Sequence, residues 1–224
     1  MTIKQTIYSL VACIILVSCD HTEKKEINEN KSRVDRLPFY NEANFTAHWI
    51  DADDPKLDTF HQISPFQLTN QDGVIISEQS FKGKIYIADF FFTSCPGICP
   101  NMTANMWKIQ QEFLDDDDVL LLSHSVTPDK DSVPILKLYA ENHEIVSDKW
   151  HLVTGTQKDI YKLGRKDYFV EEDLGLIRGE DEFLHTENFV LIDRNRHIRG
   201  IYNGLRKAAI RQLIADIHLL KEEQ

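Results

Sequence analysis

Hydrophobic positions along this chain follow two alternating rhythms. From Lys84 to Thr93 the run "KIYIADFFFT" is apolar on nearly every position, rich in Ile, Phe and Tyr, and free of breakers, which predicts a buried strand. Beyond Pro100 the apolar residues Met102, Met106, Ile109 and Phe113 recur at helical spacing, and the acidic run from Asp115 to Asp118 closes that segment. "VLLLSHSV" predicts a second buried strand, Asp131, Ser132 and Pro134 open a second helix, and "WHLVTG" predicts a third strand. Thr156 reads as the N-cap of a short helix through Leu163. "NFVLID" and "HIRGIY", separated by "RNR", pair most simply as an antiparallel hairpin. The last helix, Lys207 to Glu222, carries Ile210, Leu213, Ile214 and Ile217 on one face, as a helix covering that sheet should.

Strands alternating with helices of these lengths predict an α/β fold whose sheet begins parallel, with helices on its faces. The order βαβαβα and then ββα is the thioredoxin-like plan with an added central element. The expectation is a central mixed sheet, helices on both faces, and a C-terminal β-hairpin plus helix, filling residues 37–224.

The first 19 residues change the picture of where this domain resides. Lys4, an apolar stretch from Ile7 to Val17, and Ser18 before Cys19 have the anatomy of an export signal. The stretch is too short for an ordinary membrane span, which needs roughly 20 apolar residues. Its end, "LVSC", resembles the lipobox of bacterial lipoproteins. That resemblance implies a signal peptide over residues 1–18, cleavage before Cys19, a lipid on its thiol, and an extracytoplasmic, membrane-anchored protein on the periplasmic side. The segment Asp20 to Arg36 is almost wholly charged or polar and lacks aromatic residues, which predicts a flexible tether. With 36 acidic against 25 basic side chains and a net charge of −11, the chain is a poor partner for nucleic acid.

Of four cysteines, Cys13 leaves with the signal and Cys19 is the anchor, so Cys95 and Cys99 alone remain in the folded domain. They lie in "FFFTSCPGICPNM", each followed by proline. Proline disfavours an α conformation in the residue before it, which predicts extended or turn geometry at both cysteines. Gly97 permits the reversal between them, and Pro100 in a first helical turn puts Cys99 near the N-cap. At a helix N-terminus the local dipole favours thiolate over thiol. A purely structural disulfide explains little, because closing so short a loop contributes about 2 kcal/mol in the chain-entropy model.

A thiol-disulfide exchanger of thioredoxin type is a second reading. However, three residues separate the cysteines where the usual redox motif has two, and no proline introduces the first strand of the last hairpin, the final proline of the chain being Pro134. The position facing the cysteines is assigned instead to His185 in "DEFLHTENFVLID". Two thiolates and an imidazole suit Cu(I), a soft ion that tolerates low coordination numbers, and the same groups with water or a carboxylate could hold Cu(II). A structural zinc site would want a fourth protein ligand, for which the sequence offers no clear candidate.

These motifs resemble the SCO/SenC family of thioredoxin-like copper proteins, through "FFFTSCPGICPNM", "SHSVTPDKDS" and "LHTENFVLID". The resemblance covers about Phe66 to Leu219. It implies that Cys95, Cys99 and His185 are copper ligands. It also implies copper delivery to the copper-bearing subunit of cytochrome oxidase, or to another copper-receiving membrane protein, as the role. Thiol reduction, with Cys95 and Cys99 as the redox-active pair, is the alternative, and would make the protein an enzyme. Two positions depart from the family pattern: Leu184 stands where an Asp often precedes the histidine, and Thr127-Pro128 replaces the family's "DP".

Other residues carry less. His124 lies inside an apolar strand leading toward the site, and a core histidine is the reading preferred over a ligand. His21, His48, His61, His143, His151, His197 and His218 read as solvated or hydrogen-bonded. Met102 and Met106 read as core filling. The acidic runs from Asp115 to Asp118 and from Glu171 to Glu182 lack the ligand alternation and turn glycine of a calcium loop.

Overall fold

The computed structural model describes residues 31–171, 183–184 and 186–223. Four short strands precede the first predicted element: β1 (Phe39–Tyr40), β2 (Ala47–His48), β3 (Gln67–Asn70) and β4 (Ile75–Ser77). Then come β5 (Ile85–Phe91), α1 (Cys99–Glu112), β6 (Val119–Ser125), α2 (Val133–Asn142), β7 (Trp150–Thr154), α3 (Gln157–Lys162), β8 (Asn188–Ile192), β9 (Ile198–Asn203) and α4 (Lys207–Glu222). The strands form one sheet in the order β2-β1-β9-β8-β5-β6-β7-β3-β4. β5, β6 and β7 are parallel, whereas β8 and β9 join antiparallel beside β5. The mixed sheet and the C-terminal hairpin plus helix are therefore as the hydrophobic pattern predicts.

The first four strands escaped that pattern. "FY", "AH" and "QLTN" are too short or too polar to show alternation, and each becomes a strand only by pairing antiparallel at an edge of the existing sheet.

All seven residues of β5 are buried, and their alternation divides the core. Ile85, Ile87 and Phe91 pack in one layer with Met102, Met106 and Ile109 of α1, Leu136 and Ala140 of α2, and Ile210, Leu213 and Ile217 of α4. Tyr86, Ala88 and Phe90 face the other layer with Ile160 and Tyr161 of α3, Tyr168 and Leu184. Met102 and Met106 have no exposed surface, so both fill the core, each contributing roughly 1.5–3 kcal/mol of burial. Thr156 caps α3 by accepting the Asp159 N–H at 3.2 Å. The helix then widens into one i→i+5 turn over Leu163–Asp167, closed by Tyr168 N–H to the Leu163 carbonyl at 2.8 Å. A side chain at Gly164 would meet Leu184 Cδ2 at 2.6 Å, so glycine there lets Leu184 seat against the turn.

Upstream, Ser32 donates to Asp216 of α4 at 2.6 Å, and Val34 packs on the same core layer. Among the described residues no helix is long and apolar enough to cross a membrane. The signal segment, Cys19 and the tether up to residue 30 lie outside the described residues.

Candidate functional site

Chain topology singles out the C-terminal end of β5. From β5 the chain steps to β6 and β7 on one side, then returns to place β8 on the other. In open α/β sheets such a reversal leaves a crevice at the carboxyl ends of the strands. Cys95 and Cys99 lie in the connection from β5 to α1 at this end. A turn closed by Cys95 N–H to the Phe92 carbonyl at 3.3 Å carries the chain off the strand. Cys99 is already the first residue of α1 and Ile98 its N-cap, which corrects the expectation of extended or turn geometry at Cys99. The helix nucleates one residue before Pro100 because Asn101 and Met102 both donate to the Ile98 carbonyl, at 3.0 and 3.1 Å, and Pro100 has no N–H to satisfy.

Both thiols are free and near enough for each to shift the other's titration, but they differ in character. Cys95 is partly exposed. Burial pushes its thiol up, yet the Cys99 thiol and the backbone groups of Cys99, Gly97 and Ile98 outweigh that by hydrogen bonding, so its pKa is lowered. Cys99 is 5 % exposed. Desolvation first, then its bond to Cys95 and the negative charge it would share with Cys95 and Asp89, push it up to about 12. The helix N-terminus therefore favours one thiolate and not two, because the second sulfur lies on the core side of the helix start. This is the arrangement of a nucleophile with a thiol donor beneath it. Two sulfurs so close are also the start of a soft-metal chelate, and metal binding would have to remove the Cys99 proton.

His185 lies outside the described residues. Its neighbours are firmly held: Leu184 is 1 % exposed in the core, and Thr186 donates to the Val170 carbonyl at 2.7 Å. Phe183 stands edge-on to Phe92 with ring centroids 5.6 Å apart, three residues ahead of Cys95. Among the described residues no group of three His, Cys, Asp or Glu side chains could hold a metal ion.

His124 is the core histidine its sequence context predicts. It stacks on Phe90 at 4.5 Å with rings 9° apart, and Nδ1 donates to the Asp89 carbonyl at 3.2 Å. Burial pushes it down to about 4, so it is neutral, and Nε2 has no partner. In the first acidic run, Asp116 pairs with Lys221 and Asp118 with Lys84. The second run lies outside the described residues from residue 172 to 182.

Two acids escaped the sequence reading. Asp89 is an acidic residue inside the apolar run of β5; the Ser123 hydroxyl donates to it, and burial pushes it up to about 7. Asp131, read as a helix-opening residue, instead turns inward and is fully buried. The interruption of "IYIADFFF" by an acid was the available signal for Asp89. Nothing in "TPDKDS" distinguishes Asp131 from Asp129.

Known proteins fit this geometry. The family model SCO1/SenC matches residues 54–221, most of the chain. A SCO1/SenC family lipoprotein from Bacillus anthracis str. Ames is 33 % identical with a TM-score of 0.62, over 72 % of this chain and 95 % of that one. BsSco, described as a member of the Sco family of cytochrome c oxidase assembly proteins and studied for a disulfide switch, is 30 % identical with a TM-score of 0.62, over 73 % and 95 %. ScoI of Bradyrhizobium japonicum, solved with copper bound, is 25 % identical with a TM-score of 0.55, over 72 % and 98 %. A thioredoxin-like sheet with paired cysteines after its central strand, matched along most of its length, makes this chain a member of the SCO1/SenC family.

Proposed function

We propose that this protein is a copper carrier that holds the ion with Cys95, Cys99 and His185. It would release the ion by ligand exchange to a membrane protein, foremost the copper-bearing subunit of cytochrome oxidase. The observation that carries this reading is the pair of free thiols at the start of α1, in a chain whose family includes a copper-bound relative. The donor set fits the cargo. Thiolate sulfur is soft and prefers Cu(I), and a third ligand from outside the loop would let a recipient displace one bond at a time. The residues on either side of His185 in the sequence, Leu184 and Thr186, are both buried. We further propose that Cys19 carries a lipid and holds the domain at a membrane outside the cytoplasm, with the lipoprotein relative in support.

A second reading, thiol-disulfide reduction, is favoured by the asymmetry of the pair. Cys95 would attack a partner's disulfide as thiolate, expelling one partner thiolate; Cys99 would give its proton to that thiolate and then attack the Cys95 sulfur, forming the Cys95–Cys99 disulfide and releasing the partner reduced.

One experiment separates the two. The protein from Asp20 onward, prepared without oxygen, is titrated with Cu(I) against a chelator and assayed for reduction of insulin disulfides, as wild type and as His185→Ala. The carrier reading expects His185→Ala to weaken copper binding by more than the roughly 10- to 100-fold lost when only a group supporting a ligand is removed. Unchanged copper affinity together with full insulin reduction would give the site to thiol chemistry.

A further inference from the structure

Among the described residues, a single side chain from outside the cysteine loop hydrogen-bonds to it. Asp131 has no exposed surface, and its carboxylate accepts four hydrogen bonds. Thr93 supplies two of them, its hydroxyl to Oδ1 at 2.5 Å and its backbone N–H to Oδ2 at 3.3 Å. Ser125, the last residue of β6, donates to Oδ2 at 2.5 Å, and Thr127 donates to the same oxygen at 3.0 Å. Residues 92–98 belong to no strand, so they lack ladder hydrogen bonds. Among the described residues, their other hydrogen bonds stay inside the loop or run to the first turn of α1. The Thr93–Asp131 pair is thus what ties the loop to the neighbouring strand end.

We propose that Asp131 is the positioning residue of the cysteine loop: by taking both donors of Thr93, two residues before Cys95, it sets the approach of Cys95 to Cys99. A carboxylate suits this task better than an amide, because all four facing groups are donors and it brings only acceptors. Burial of the Asp131 carboxylate keeps the clasp rigid, since it would find no solvent to replace a lost donor. The inference rests on Cys95 and Cys99 being the working pair, under copper or thiol chemistry alike.

The test compares two substitutions that each remove one hydroxyl from the same carboxylate. Thr93→Val cuts the tie to the cysteine loop; Thr127→Val leaves it intact. Two readouts are taken on the reduced protein at one pH, and neither needs copper. One is the rate at which iodoacetamide alkylates Cys95. The other is the equilibrium with glutathione, in which the two thiols are oxidised to a disulfide as oxidised glutathione is reduced to two thiols.

Thr93→Val is expected to shift the glutathione equilibrium by roughly tenfold, the fold-change matching one hydrogen bond to a charged group, and to change the alkylation rate with it. Thr93→Ser, which keeps the hydroxyl, is expected to restore both, and Thr127→Val to match wild type although urea unfolding shows it destabilised like Thr93→Val. Wild-type values for Thr93→Val, or an equal shift in Thr127→Val, would overturn the proposal. If Thr93→Val does not fold, Asp131→Asn takes its place, with a smaller shift expected and no shift overturning it. Because copper is absent from both readouts, a wild-type protein that fails to bind copper would sink the carrier reading and leave this inference to stand or fall separately.

Discussion

Asp89 and His124 occupy neighbouring strands one position out of register, Asp89 beside Ser123 and Phe90 beside His124, and they face opposite layers of the core. Their burial is nearly equal, at 2 % and 0 % exposed. One is an acid under α1, tied through the Ser123 hydroxyl to Trp150, whose Nε1–H donates to that hydroxyl at 2.8 Å. The other is a base stacked on Phe90 and packed against Tyr168. Burial has the same effect on both, disfavouring charge, but it moves their pKa values in opposite directions, Asp89 up to about 7 and His124 down to about 4. The lesson is thermodynamic: two buried groups of opposite type give the domain opposing pH dependences.

The signs follow from linkage. Asp89 binds its proton more tightly when folded, so its contribution is full below the ordinary value of 3.8 and is lost as pH rises through about 7. His124 binds its proton less tightly when folded, so its contribution is full above the ordinary value of 6.5 and is lost as pH falls through about 4. Between those limits the two slopes oppose each other.

Removing one group exposes the other. The largest effect is expected from Asp89→Asn, which cannot ionise: relative to wild type it should gain about 4 kcal/mol on going from pH 4 to pH 8, read from urea unfolding across that range. An unchanged pH profile would mean that Asp89 is solvated when folded. Next comes His124→Phe, which keeps the ring stacking. Relative to wild type it should gain about 3 kcal/mol on going from pH 7.5 to pH 4. Smallest is Trp150→Phe, which removes the donor behind Ser123 and should cost about 1 kcal/mol with little change in pH dependence. A pH-dependent loss there would show that the indole acts on Asp89 itself and not only on the hydroxyl.

What could be read before folding was whatever repeats locally. The uninterrupted runs of β5 and β6, the spaced Met102, Met106 and Ile109 of α1, and the amphipathic face of α4 carry their own periodicity, so their type and order were legible. Cys95 and Cys99 were legible as a pair because a short loop with two prolines confines them. The edge strands β1 to β4 were not, since a two- to four-residue strand has no pattern apart from its partner. Nor was the difference between the two thiols, because it comes from which sulfur is buried once the helix packs on the sheet.

By itself, then, the amino-acid order determined the succession of strands and helices, the placing of two sulfurs at a helix start, and the acidic balance of the chain. All of these depend on residues within a turn or two of one another. The tertiary structure alone decided that Asp131 reaches back to Thr93, that Asp89 and His124 lose their water, and that Cys99 is buried while Cys95 is not. Those outcomes depend on which strands become neighbours, and burial and hydrogen bonding between distant segments exist only after the sheet has assembled.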